Sequence, residues 1–459
     1  MSPGSGVQAW WGHWPLVLVF MVPVCLKLWL GTGPRETHRR GTVVRRQSPW
    51  GRFGRFRRRS GPTRLTLAGV PLASLDETKH TKLIGTTGTG KSTAIGQLLD
   101  AALRRGDRAV VSDPEGGYLA QCFQEGRGDI ALNPFISGSR RWDPFAEIRD
   151  TFDIEQLANA LVPQCEDPAT VEWRGYARTL LAAILRRCVQ LGTDTVEELW
   201  RLLTMATSEE LRVLVSGTPA QPFLEPENAR MFSSIRSVMS SAIAALPYIQ
   251  DQCAASFSVR EWVRTGRGVL FIPYQAGQIP ALRSIIATWL RLAIVEAMSQ
   301  PAGRDQRLWF VVDELDALGA IDGLRDALAR LRKFGGRCVL GFQSIAQVSS
   351  TYGAGDAQTI VENCGNTLVL RCSGSENGGT SQFASRLIGE REVRRVYRTR
   401  GLDQGIPWSL GSGRRSTQLS EQVATEYAVL PSELEQLPDL RGYLKLASSP
   451  AWQRVKVPR

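Results

Sequence analysis

Two segments about 220 residues apart constrain this chain more than anything else in it. Gly85-Thr-Thr-Gly-Thr-Gly-Lys91-Ser92-Thr93 fits G-x-x-x-x-G-K-[ST], the phosphate-binding loop. Leu308-Trp-Phe-Val-Val-Asp313-Glu314 is an apolar run that closes on two carboxylates. A glycine-rich turn before a helix can arise by chance. A second buried strand ending in an acidic pair, far downstream, is the other half of a site that splits a nucleoside triphosphate. Strand-like runs alternate with helical periodicity around both segments, which implies an α/β fold with a mostly parallel sheet covered on both faces.

The chemistry assigns roles within these segments. The nucleotide-binding residues are expected to be Gly85, Thr86, Thr87, Gly88, Thr89, Gly90, Lys91, Ser92 and Thr93. Gly85, Gly88 and Gly90 permit a tight loop whose N–H groups face a polyanion. Lys91 opens a helix running to about Leu103, whose N-terminus is positive and rich in unpaired donors. Lys91 is expected to reach the β- and γ-phosphates of ATP, and Ser92 to ligate Mg²⁺. Asp313 is the second metal residue, acting through water. Glu314 orients or deprotonates the attacking water. Asp313 and Glu314 would also suit a helix N-cap and its first turn, and the two roles are compatible. A further buried run, Arg337-Cys-Val-Leu-Gly-Phe-Gln343-Ser344, ends in an amide. Ligands bind at the carboxyl ends of strands in doubly wound sheets, so Gln343 either senses the γ-phosphate or caps the following turn. Asp113, at the end of Arg108-Ala-Val-Val-Ser-Asp113, either faces the nucleotide or turns the chain.

Composition excludes several classes. Apolar residues make up 43% of the 459-residue chain, which points to packed domains and not to disorder. The eight cysteines include no C-x-x-C pair and the three histidines are scattered, so neither a disulfide framework nor a zinc site is expected. Residues 1–64 hold +11 of the net charge of +12, so the basicity is a segment and not a surface. That segment begins with an apolar stretch, Ala9–Leu30. At 1.5 Å per residue it would extend about 33 Å, enough for the hydrocarbon layer. Trp10, Trp11, Trp14 and Trp29 sit near its ends, as interfacial aromatics do. Eleven arginines follow the stretch and no Lys or Arg precedes it. The positive-inside rule then places the C-terminal body in the cytoplasm of a single-pass membrane protein, with the arginines on anionic headgroups.

The expected organisation is a transmembrane anchor over 1–31, an Arg-rich juxtamembrane linker over 32–64, the first part of a nucleotide-binding core over 65–152, an inserted all-α domain over 153–256, and the rest of the core over 257–459. Strand signals nearly vanish in 153–256, where Trp173 and Tyr176 read as core residues. Residues 401–418 are rich in Gly and Ser and are expected to form a mobile loop.

Other segments along the body add to the pattern: Leu67-Ala-Gly-Val-Pro71, Val111-Ser-Asp113-Pro114, Leu132-Asn133-Pro134, Trp142, Phe145-Ala-Glu-Ile, Gly341-Phe-Gln343-Ser344 and Leu434–Leu440. In this order and spacing, together with the two nucleotide segments, the chain resembles the type IV coupling proteins of bacterial conjugation and type IV secretion, across residues 65–459. The resemblance implies a RecA-like core, an all-α domain facing the cytoplasm and a homo-hexameric ring. It implies ATP-driven pumping of single-stranded DNA, with its bound relaxase, toward the proteins of a secretion channel. It also implies a site between subunits, completed by an arginine from the neighbour, and Arg332 matches that position. Two departures stand out. Only one apolar span is visible where the family usually has two, and an acidic docking tail is not expected after Leu446. Two other functions compete: an FtsK-type translocase on double-stranded DNA, which would carry more spans and a C-terminal DNA-reading domain, and a secretion-substrate receptor without motor activity.

Overall fold

The computed structural model describes residues 35–46, 65–163, 168–301, 307–376, 378–402 and 415–459. The expected anchor at Ala9–Leu30 lies outside the described residues. Among those described, no helix is long and apolar enough to cross a membrane.

The described chain forms two compact units. The smaller consists of strands β1 (Arg35–Gly41), β14 (Glu390–Leu402) and β15 (Arg415–Tyr427), in the order β1-β14-β15 and antiparallel throughout. Cross-strand ion pairs run along it, Arg391 with Glu426 and Arg394 with Glu421 among them.

The larger unit holds the remaining strands: β2 (Val44–Arg46), β3 (Thr66–Leu67), β4 (Val70–Pro71), β5 (Thr81–Ile84), β6 (Arg108–Pro114), β7 (Ile130–Ala131), β8 (Arg141–Trp142), β9 (Ser256–Phe257), β10 (Val269–Tyr274), β11 (Leu308–Val312), β12 (Gly336–Phe342), β13 (Asn366–Val369), β16 (Arg441–Lys445) and β17 (Trp452–Lys456). Ten of these form one sheet, β2-β17-β16-β13-β5-β12-β11-β6-β10-β7. The seven from β13 to β7 run parallel. β16 and β17 turn antiparallel at one side. Strands covered on both faces read as near-continuous apolar runs, and β5, β10, β11 and β12 are buried along their whole length, Lys82 and Arg337 included.

Two features of the sheet position the phosphate loop and the acidic pair. The strand before the loop, β5, and the strand before the pair, β11, are not neighbours. β12 runs between them, so the end of β12 falls between the two motifs. β12 also comes very close to the turn after β11. A Cβ on Gly341 would collide with the Asp313 carbonyl oxygen, and only glycine leaves the room.

Between β8 and β9 the described residues contain helices and no strand, and β8 pairs with β9 in a separate two-stranded sheet at the base of that segment. Glu147 secures that base. Its carboxylate accepts from Trp142 Nε1 (2.8 Å), Ser258 Oγ (2.8 Å), Val259 N (2.7 Å) and Arg260 N (3.0 Å). Trp173 and Tyr176 are half-buried and stack edge to face, and Tyr176 also meets Phe223, so they form a rim cluster and not the core that the sequence suggests.

Two expectations from composition need correction. Residues 35–41 and 44–46 of the Arg-rich segment read as a linker are strands, because β14 and β17 offer them backbone partners. The two ends of the Gly/Ser-rich stretch 401–418 lie in β14 and β15, while residues 403–414 lie outside the described residues.

Candidate active site

The phosphate loop joins β5 to a helix, α1 (Lys91–Arg104). Gly88 and Gly90 hold φ of 75° and 107°, values open to glycine at little cost. α1 buries Ala94, Ile95, Leu98, Leu99, Ala102 and Leu103 against the sheet, which fixes where its N-terminus points. Lys91 Nζ donates to the carbonyls of Gly85 (2.7 Å) and Thr86 (3.1 Å), holding the ammonium at the mouth of the loop. Burial lowers the Lys91 pKa, and the carboxylates of Asp313 and Glu314 oppose that shift.

β11 delivers Asp313 and Glu314 to the same edge. Ser92 Oγ donates to Asp313 Oδ2 at 2.5 Å, joining the two motifs directly. Asp313 Oδ1 is buried and accepts no hydrogen bond among the described residues. Gln343, at the end of β12, ties the pieces together. It accepts from Thr87 Oγ1 at 2.8 Å, and its Nε2 donates to Glu314 Oε1 at 3.2 Å. Burial raises the Glu314 pKa first, and the negative charges of Asp313 and Asp316 add to it. A raised pKa suits a carboxylate that takes a proton from water.

These groups line a cleft of about 310 Å³ whose walls are Thr87, Gly88, Gly90, Lys91, Ser92, Thr93, Asp313, Glu314 and Gln343, with Asp439, Leu440 and Arg459 on a further side. The donor set fits a nucleoside polyphosphate with a hard divalent cation. It offers loop N–H groups, one lysine, a hydroxyl, and a carboxylate with an uncommitted buried oxygen. Ser92 and Asp313 are the residues that would hold the cation.

Arg332 is not part of this cleft. It is exposed, in the turn Leu331–Phe334 after the helix Leu324–Arg330. Asp113 does not face the cleft chemistry either. It caps a second helix, α2 (Gly117–Cys122), accepting from Tyr118 N (3.0 Å) and Leu119 N (2.7 Å), so the chain-turning alternative is the one observed. Burial pushes its pKa up to about 6. Sequence reasoning missed Tyr118, whose hydroxyl donates to Asp313 Oδ2 at 2.8 Å, and the wall made by Asp439, Leu440 and Arg459. Tyr118 and Arg459 lie in no motif read from the sequence, and Leu434–Leu440, which holds Asp439 and Leu440, was read for its resemblance and not as a wall of the site. Leu440 N donates to the Thr89 carbonyl at 2.9 Å across a separation that no local pattern encodes.

With this geometry in place, comparison with known proteins decides the family. The family model described as "Type IV secretion-system coupling protein DNA-binding domain" matches residues 64–458. The chain belongs to the type IV coupling proteins. It is 29% identical over 393 residues to the coupling protein TraD of Escherichia coli K12, covering 83% of this chain and 53% of TraD. The chain spans 53% of the length of TraD and 59% of that of a conjugal transfer protein TraG of Escherichia coli, to which it is 22% identical. Among solved structures, the conjugative coupling protein TrwBdeltaN70 superposes with a TM-score of 0.79 and 31% identity, covering 93% of this chain and 94% of that one. TrwB has also been solved in complex with ADP and Mg²⁺, again with a TM-score of 0.79 and 31% identity, covering 93% of this chain and 96% of that one. The RecA-like α/β architecture expected from the resemblance is therefore the fold of this coupling protein.

Proposed function

We propose that this chain is a membrane-anchored ATPase that couples a DNA–relaxase substrate to a type IV secretion channel and pumps single-stranded DNA by ATP hydrolysis. The observation that carries the ATPase reading is the convergence of three distant segments. Ser92 meets Asp313 at 2.5 Å, and Gln343 spans Thr87 and Glu314 between them. Membership of the coupling-protein family supports the DNA, relaxase and channel partners. The span at Ala9–Leu30 supports a single pass through the inner membrane.

The chemistry is positioning and charge stabilisation. Gly88 to Thr93 bind the phosphate chain through backbone N–H groups at the N-terminus of α1. Lys91 meets the charge that builds on the β- and γ-phosphate oxygens. Ser92 and Asp313 would hold Mg²⁺, which would supply neutralisation of phosphate charge. Glu314 orients water and takes its proton. Gln343 touches both the loop and Glu314, so it links occupation of the γ position to the base. Arg332 acts on the cleft of a neighbouring subunit in a hexameric ring, which its exposure outside its own cleft supports.

Glu314→Gln tests this. ATP binding is expected to persist while turnover falls by about 10² to 10⁴-fold. Turnover of the wild type should rise with single-stranded DNA and lose that stimulation as salt increases. Transfer that continues in Glu314→Gln with hydrolysis gone would leave a receptor and not a motor.

A further inference from the structure

Asp313 is held from an unexpected direction. β6 ends at Asp113-Pro114, and the chain turns through Glu115 (φ 59°) and Gly116 (φ 70°) into α2. Asp113 fastens the first turn of α2 by accepting two of its N–H groups. That seats the Tyr118 side chain, 4% exposed, beside the end of β11. Its hydroxyl lies 2.8 Å from Asp313 Oδ2 and 3.4 Å from the Ser92 carbonyl. A phenol has one proton to give, and the nearer, charged oxygen takes it.

Asp313 Oδ2 therefore receives two donors, Ser92 Oγ and Tyr118 Oη, while Oδ1 receives none among the described residues. A hydroxyl that ligates a cation through its oxygen can still donate its proton to a carboxylate. Of the two donors, Tyr118 is the one with no further task in such an arrangement. A tyrosine present only for packing would be replaced by phenylalanine without consequence, because the rings fill the same space.

We propose that Tyr118 is a positioning residue for the divalent cation: its hydroxyl fixes the Asp313 carboxylate in the orientation in which Ser92 and Asp313 receive the ion together. Tyr118 itself is not among the residues that line the cleft. The proposal rests on the ATPase reading of the cleft and assigns it one more member.

The test uses the full-length chain and a fluorescent ADP analogue, titrated in EDTA and then against rising Mg²⁺, for wild type and Tyr118→Phe. The expected result is a metal-free ADP affinity within twofold of wild type and a Mg²⁺ half-saturation about tenfold higher, the scale on which partners of metal ligands act. A half-saturation within twofold of wild type overturns the proposal. So does an equal loss of affinity with and without Mg²⁺, which would make Tyr118 a support of the loop as a whole. Asp113→Asn loosens the seat of α2 while keeping the ring and hydroxyl, and should shift the Mg²⁺ requirement in the same direction by less. This gives a second reading if Tyr118→Phe folds poorly. A wild type whose ADP affinity ignores Mg²⁺ sinks the metal site itself, an outcome visible before any variant is made.

Discussion

Gly90 shows how little freedom single residues have at this site. Its φ of 107° belongs to glycine, and a Cβ there would sit 2.6 Å from Leu440 Cδ2. Gly90→Ala is expected to cost about 1–3 kcal/mol and to remove nucleotide binding, readable as a lowered Tm together with loss of the ADP-analogue signal. His80 offers a pH signature. It is buried, its Nδ1 accepts from Cys338 N at 3.0 Å, and burial lowers its pKa to about 4. The unfolded chain takes up a proton near pH 6.5 and the folded chain does not until about pH 4. The stabilisation is therefore whole above pH 6.5 and is lost as pH falls toward 4. Between pH 7 and 5 this group should remove about 2 kcal/mol, and urea unfolding of His80→Asn should lack that part of the slope. Lys91, Ser92, Asp313, Glu314 and Gln343 were legible in the sequence because each sits at the end of an apolar run or inside a motif. Tyr118 was not, because its partner lies 195 residues away and only the sheet order brings them together.

At the scale of elements, the interposition of β12 is what makes three motifs one site. Its register against β11 on one side and β5 on the other sets where Gln343 ends up. The same logic applies to the base of the helical segment. The Glu147 carboxylate accepts four donors from residues flanking that segment, and burial raises its pKa. Glu147→Ala would strand those donors and is expected to destabilise by about 3–5 kcal/mol. Limited proteolysis should then cut near 143–147 and 255–260 before the sheet opens. The helices were visible as 3.6-residue periodicity, and the parallel strands as short apolar runs. The β14–β15 hairpin was not visible. β14 is rich in arginine and β15 is mostly polar, and what holds them is pairing with each other and with β1, which composition does not report.

For the molecule as a whole, the proposed ring predicts complementation. Glu314→Gln and Arg332→Ala chains should each be inactive alone. Mixed, they should recover a measurable part of the ATPase rate, because some interfaces then pair an intact Glu314 with an intact Arg332. A mixture as inactive as its parts would remove Arg332 from the site. The pairing of β1 with β14 and of β2 with β17 carries a practical consequence for anyone shortening this protein to make it tractable. Trimming to residue 65, close to where the family match begins, strips a strand from each of two sheets. The exposed backbone of β14 and β17 would then recruit other copies, and a preparation that clumps after such trimming would be reporting lost hydrogen-bond partners and not a hydrophobic anchor left behind.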